Sequence, residues 1–316
     1  MTISLESVAV LLNLPITGNL DITLSDDEEK MCATLAENSK GFFRKDYETK
    51  CFYSWWVFEW LPDEPESDLA LDDTLHVAAF LALWLSRDIF DDGSGKKEIR
   101  RGLIKFSIKL AKGVVLPIGG LFLGSLYAHL DHLVADMHAS NGYMKVDSYV
   151  HVVFLHAWLW EHFAKYAPKP LAPLHESCGG SRILRWSNKR PKSGAKLIDF
   201  IDNAYAVSFR PWGPVHASIV QPNTFAVAPN LNLLSAEENM SVGEVVYMRS
   251  CFPGHVTSFF RVCCKAVPYN IDRATRHMGF HQGVPFIRHP VAPEELFPVF
   301  SRQVKVFLSC SHNEVR

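Results

Sequence analysis

The sequence lacks the cysteine and leader patterns of a secreted protein. Its seven cysteines form no CxxC pair and no even disulfide ladder; they stand at positions 32, 51, 178, 251, 263, 264 and 310. Residues 1–6 contain no basic segment followed by an apolar one, which a signal peptide requires. We therefore expect free thiols in a reducing intracellular compartment.

Catalytic motifs are also missing from the sequence. There is no HExxH, and Ser125 follows a glycine without the second glycine of GxSxG. The Gly-rich segment 177–181 has neither the lysine of a P-loop nor the frame of GxGxxG. His129, His132 and Asp136 have a spacing that suits a metal site, but an amphipathic helix explains the same spacing, and we favour the helix. The residues predict no catalytic group, no metal and no cofactor.

A strong net charge is absent too. The chain has 32 basic and 34 acidic side chains, a formal charge of −2, which excludes a histone-like polycation. Any nucleic-acid surface would have to be a local patch. Residues 113–130 contain no charged side chain, which reaches the lower limit for a membrane span. Because this run contains Pro117 and four glycines, we predict a core helix there and no membrane partner.

The composition is that of a folded protein with a large core. Hydrophobic residues make up 48% of the chain, aromatic residues 12% and charged residues 21%. Apolar spacing predicts helices over about 5–14, 25–38, 72–90, 98–112, 118–139 and 147–164, and a buried helix or turn over 52–60. Ser4 and Ser25 are the predicted N-caps of the first two. We expect six tryptophans to be structural: Trp55, Trp56, Trp60, Trp84, Trp158 and Trp160.

The second half of the chain has a different pattern, because proline and glycine interrupt it repeatedly. Only 194–206 and 270–278 have a helical pattern there, and 217–220, 245–248 and 304–308 are short candidate strands. The fold class we predict is mainly α: a helical globular domain with a few short strands in the C-terminal half. We expect one unit over 1–316, with a helical core at 1–165 and an irregular α+β continuation at 166–316.

Charges of opposite sign occupy different regions. Residues 59–73 contain seven acidic and no basic side chains, whereas 96–112 contain seven basic and one acidic. One basic set, spaced four apart on a single helix face, is Lys97, Arg101, Lys105 and Lys109. A second run, of the kind used for nuclear import or nucleic-acid binding, is Arg182, Arg185, Lys189, Arg190, Lys192 and Lys196. These ten residues are the candidate interaction patches, and a solvated helix face is the alternative for the first set.

The order of motifs resembles one family. Residues 1–8 (MTISLESV) and 11–18 (LLNLPITG) are similar to the opening "MTITLEDV…LLGLPVDG" of the plant mobile domain family, also labelled aminotransferase-like. Residues 155–163 (LHAWLWEHF) are similar to its "LQLWAWERF", and 210–212 and 276–285 to its "WRPY" and "RQFGxxQxIP". The resemblance covers roughly 1–290. In the family the opening residues form a strand, which predicts a strand over Thr2 to Leu5.

The resemblance implies a nuclear, non-catalytic protein. The family occurs in transposable elements and in host genes for meristem maintenance and transposon silencing, with phosphatase-like partners of the plant serine/threonine phosphatase 7 long-form type. The aminotransferase-like label finds no support in these residues, because no Schiff-base lysine with a phosphate cup and a ring-nitrogen carboxylate is visible.

Three functional hypotheses follow. The first is a non-catalytic nuclear interaction module with a protein partner. The second is a nucleic-acid-binding protein of transposable-element origin that uses the two basic sets. The third is a transposon-related or transferase enzyme whose acidic residues the sequence alone does not identify.

Overall fold

The computed structural model of the protein describes residues 2–19, 21–38, 51–61, 73–91, 97–146, 148–171, 181–191, 207–208, 211, 255–260 and 263–269. These residues form α1 (Leu5–Leu12), α2 (Asp26–Asn38), α3 (Tyr53–Trp60), α4 (Asp73–Trp84), α5 (Arg101–Ala111), α6 (Ile118–Ser140) and α7 (Val152–His162). A π-helical turn (Leu85–Ile89) continues α4, and a 3-10 helix (Arg182–Trp186) follows α7. Strands β1 (His255–Phe260) and β2 (Cys263–Pro268) form an antiparallel hairpin. The predicted mainly α fold class is confirmed.

The first helix begins at a serine cap, as its sequence predicts. The Ser4 hydroxyl accepts the Ser7 amide at 3.1 Å, and the Ser7 hydroxyl accepts the Ser4 amide at 3.3 Å. This reciprocal capping box satisfies two backbone donors that the helix itself leaves unpaired. The prediction of a strand over Thr2 to Leu5 is wrong, because Leu5 is already the first helical residue. The helix ends at Asn13, whose φ of 54° is the left-handed conformation of many helix ends.

The aromatic run at 52–60 forms a helix that packs on α4. The Trp56 indole N–H donates to the carbonyl of Ala79 at 2.9 Å, and Trp60 meets the ring of His76 edge-on at 6.0 Å. Trp56 and Trp60 are buried, as are Trp158 and Trp160, whereas Trp55 and Trp84 are half-buried. The tryptophans therefore have the structural role predicted for them.

The π turn after α4 anchors the start of α7. His151 caps α7 by accepting the Phe154 amide on Nδ1 at 3.2 Å, and its Nε2 lies 3.0 Å from the carbonyl of Asp88 in the π turn. Because Nδ1 is the acceptor, the hydrogen-bond network assigns the proton to Nε2, which donates to Asp88. This one imidazole thus joins the π turn to α7.

A close backbone approach joins the loop after α1 to the start of α6. Gly119 donates its amide to the carbonyl of Pro15 at 2.8 Å, and Asn19 donates to the carbonyl of Val115 at 2.9 Å. Gly18 has a φ of 153°, and a Cβ atom there would lie 2.4 Å from the Val115 oxygen. Only glycine fits at that position without moving the backbone.

Two large apolar clusters make up most of the core, and α5 lies between them. Its Leu103 and Phe106 pack in the cluster formed with α1, α6, α7 and the π turn. Its Ile104 and Ile108 pack in the cluster formed with α2, α3 and α4. Since these four side chains occupy two adjoining inner faces, the remaining outer face carries the basic residues.

The hairpin closes the first cluster against α1 and α6. The ring of Tyr269 stacks on Tyr127 with 6.4 Å between centroids, and its hydroxyl accepts the amide of Leu5 at 3.2 Å. The Tyr127 hydroxyl donates to the carbonyl of Ile3. Two tyrosines therefore fix the N-terminal segment to residues far away in the sequence.

Several predicted elements lie outside the described residues. They are the helices at 194–206 and 270–278 and the strands at 217–220, 245–248 and 304–308. Strands β1 and β2 were not among the predicted elements. The division into a core at 1–165 and a continuation at 166–316 stays a prediction.

Candidate interaction surface

The outer face of α5 presents part of the first basic set. Arg101 and Lys105 are exposed and lie one helical turn apart, about 6 Å along the axis. Lys97 is exposed just before the helix, and its backbone is fixed because its carbonyl accepts the Tyr53 amide at 2.8 Å. The scaffold beneath these cations is therefore rigid, and we call Lys97, Arg101 and Lys105 the basic face.

The next member of the set is turned into the protein. Lys109 donates to Glu28 of α2 at 2.7 Å, and Lys112 lies 3.8 Å from the same carboxylate. Glu28 also accepts the Ser25 amide at 2.8 Å, and the Ser25 hydroxyl accepts the Glu28 amide at 3.5 Å, which is the predicted cap of α2. The Lys109 ammonium and this amide hold the pKa of the Glu28 carboxyl below its usual value. The charge of Lys109 is thus compensated inside the fold.

The second basic run surrounds one buried carboxylate. Glu161 of α7 accepts Arg182 at 2.6 Å, Arg185 at 3.3 Å and the indole N–H of Trp186 at 2.8 Å. Only 5% of the Arg182 side chain is exposed, so it presents almost no charge to solvent. Burial lowers the pKa of Arg185, which Glu161 partly offsets. These contacts fasten the 3-10 helix to α7.

The ten predicted residues therefore separate into three groups. Exposed positions are held by Lys97, Arg101, Lys105 and Arg190, and Lys189 is half-buried. Internal ion pairs hold Lys109, Arg182 and Arg185. Lys192 and Lys196 lie outside the described residues. Of the ten residues, those of the basic face are the ones that the structure places near each other on the surface.

Comparison with known families decides the relationship. The sequence profile described as "Plant mobile domain" matches residues 1–295. The chain belongs to the plant mobile domain family. No curated protein and no solved structure matches the chain.

Sequence reasoning missed the two carboxylates that organise the basic residues of this plant mobile domain. Glu161 is the lone acid in an apolar, tryptophan-rich helix, and Glu28 is one of four acids at the start of α2. The signal for Glu161 is present in the sequence, because a charge on a buried helix needs a partner. A signal for Glu28 is present too, because Ser25 and Glu28 have the S-x-x-E spacing of a capping box. The sequence does not show that the same carboxylate pairs with Lys109.

The described residues of the plant mobile domain hold no group of three or more His, Cys, Asp or Glu arranged for a metal ion. His129 is buried on α6, while His132 and Asp136 are exposed. Burial raises the pKa of the Cys51 thiol to about 11, so this free cysteine is not a thiolate nucleophile at neutral pH. Among the described helices, none has the length and apolar character to cross a membrane.

Proposed function

We propose that this plant mobile domain is a non-catalytic nuclear interaction module that takes part in meristem maintenance and transposon silencing. Its partner is a phosphatase-like protein of the plant serine/threonine phosphatase 7 long-form type, as the family implies. The observation that carries the proposal is the family match over residues 1–295, which spans nearly the whole chain. The basic face is the candidate contact surface for such a partner.

The basic face suits recognition of an acidic surface. Arg101 and Lys105 extend from a helix whose inner side is packed in two core clusters, and Lys97 lies just before that helix. A partner would therefore meet cations on a backbone that the core already holds in place. Exposed charges of one sign steer a partner of opposite sign and fix its orientation. They contribute little affinity at high salt, because the surrounding ions screen them.

The test is an affinity purification from nuclear extract at moderate and high salt, with protein and nucleic acid both quantified. We expect a stoichiometric phosphatase-like partner that survives nuclease treatment and high salt. Reversal of the basic face, with Lys97→Glu, Arg101→Glu and Lys105→Glu, should reduce recovery most at moderate salt. The matched control reverses three exposed lysines elsewhere: Lys145→Glu, Lys165→Glu and Lys169→Glu.

Two results would contradict this proposal. Equal loss of the partner in the basic-face and control variants would mean that net charge, and not the basic face, governs the interaction. A robust enzymatic turnover by the purified protein would overturn the non-catalytic assignment, and metal dependence of a nuclease activity would favour the transposon-related enzyme.

Nucleic-acid binding is the second candidate function, favoured by the row formed by Arg101 and Lys105 on one helix face. If the three cations of the basic face each contact a phosphate, the logarithm of the binding constant should fall with the logarithm of salt concentration with a slope of about −2 to −3. A gel shift with single-stranded and duplex probes measures this slope. An absent or salt-insensitive shift would count against the second candidate.

A further inference from the structure

The face of α6 that packs in the core continues into solvent. Leu123 and Leu126 are fully buried, and Leu130 is partly buried against the same cluster. At 3.6 residues per turn, Val134 and Met137 continue that face towards the end of the helix. Together with Leu133 they make a stripe about 100° wide, which is typical of a helix that packs on another element.

The end of this stripe has no cover among the described residues. Val134 is 53% exposed and Met137 is 58% exposed, although both are large apolar side chains. The turn that follows holds Tyr143 and Met144, which are 93% and 68% exposed. Methionine and tyrosine are enriched at protein interfaces, where methionine adapts to varied shapes and tyrosine adds area at low entropic cost.

The charges beside the stripe indicate the chemistry of its occupant. Asp131 and Asp136 are exposed and lie on the two sides of the stripe, and His138 and Lys145 are the exposed basic side chains near its end. The carboxyl end of α6, at Asn141, adds the partial negative charge of the helix dipole. A second copy of the chain would bring like charges together, whereas lysine or arginine on a partner would complement them.

We propose that this stripe, formed by Leu130, Leu133, Val134 and Met137, docks an amphipathic helix of a protein partner whose apolar side chains are flanked by lysine or arginine. The occupant presents its anchors at i, i+4 and i+7, the spacing with which helices pack against an apolar face. The inference rests on the proposed function, since it adds a second contact to the same interaction module. It is an apolar contact, so it persists at salt concentrations that weaken the basic face.

Binding of designed peptides to the full chain tests the proposal. The probe is a fluorescent helical peptide with leucines at i, i+4 and i+7 and lysines beside them, and its counterpart has glutamates in place of the lysines. We expect the lysine peptide to bind more tightly by about tenfold or more in anisotropy titrations, which corresponds to about 1.4 kcal/mol. The variant Val134→Gln with Met137→Gln should lose this binding by a similar factor.

The control replaces another exposed apolar pair with the same residue: Val152→Gln with Val153→Gln on α7. Glutamine is a good helix former, so circular dichroism and the melting temperature should stay unchanged in both variants. The proposal is overturned if the two peptides bind equally, if neither binds, or if the α7 pair matters as much as the α6 pair. It is also overturned if sedimentation velocity shows a dimer that only the α6 variant abolishes, because the occupant is then a second copy.

Failure of this inference can be told apart from failure of the proposed function. The basic-face variant should bind the lysine peptide as the unmodified chain does. If the nuclear co-purification fails while peptide binding through Val134 and Met137 persists, the docking stripe stands and the proposed partner is wrong. If the partner is recovered equally well with the α6 variant and no peptide binds, the interaction module stands and the stripe is wrong.

Discussion

Replacement of Glu161 by glutamine should destabilise the protein more than any exposed charge change. The carboxylate accepts donors from Arg182, Arg185 and Trp186, and only 3% of its side chain is exposed. A glutamine has one acceptor oxygen, and its amide nitrogen would face a donor. The substitution also leaves the buried Arg182 charge without its counter-charge, and breaking such a pair costs about 3 to 5 kcal/mol. This is a large share of the about 5 to 15 kcal/mol that holds a typical domain folded.

Urea denaturation followed by tryptophan fluorescence measures this loss. We expect a lower midpoint with an unchanged slope, because the surface exposed on unfolding stays the same. The control is Asp88→Asn, which removes an ion pair with Arg87 whose side chains are 41% and 56% exposed, and should cost no more than about 1 kcal/mol. In the double variant Glu161→Leu with Arg182→Met, the buried Arg182 charge is removed together with its carboxylate, so part of the stability should recover relative to Glu161→Leu alone. A loss for Glu161→Gln as small as that of Asp88→Asn would refute the reasoning.

Three further changes have defined outcomes. Gly18→Ala should cost about 2 kcal/mol or more in urea denaturation, since its Cβ meets the Val115 oxygen at 2.4 Å; Gly142→Ala, at a positive φ in open space, should cost less. Ser4→Ala should cost about 1 kcal/mol by removing the cap of α1, and a loss below the measurement error would contradict that role. The pKa of Glu28 is lowered by Lys109 and the Ser25 amide, so its contribution is complete above its ordinary value of 4.5 and is lost as the pH falls through the lowered pKa. The unmodified chain should therefore lose more stability on acidification than Glu28→Gln, and parallel curves would contradict this.

Helix positions could be predicted from the sequence because their signals are local. Ser4 and Ser25 stand before apolar periodicity, and the hydroxyl of each accepts an amide of the helix that follows it. Residues 72–90 are apolar on most sides, and α4 with its π turn occupies most of that range. The π turn itself was not predictable, because no residue of Leu85–Ile89 forbids an ordinary α-helix.

The sequence could not predict which basic residues are exposed and which are paired internally, because the pairing depends on carboxylates far away in the sequence. Spacing places Lys109 on the same face as Arg101 and Lys105, but Glu28, 81 residues earlier, decides that Lys109 is paired internally. Likewise Arg182 belongs to a basic run in a proline-rich region, yet its side chain is buried in an ion pair with Glu161. Local sequence patterns predict which side chains share a helix face. Tertiary packing decides which of them are exposed to solvent.

The Tyr269 hydroxyl that accepts the Leu5 amide also sets an order of events during synthesis. These two residues are 264 positions apart in the chain, so the ribosome adds Tyr269 on the order of 15 to 50 s after Leu5. Until then the first core cluster lacks Val256 and Tyr269, which are buried in it in the folded protein. The N-terminal helix is therefore synthesised early, but the core cluster around it is complete only after Tyr269 has been added.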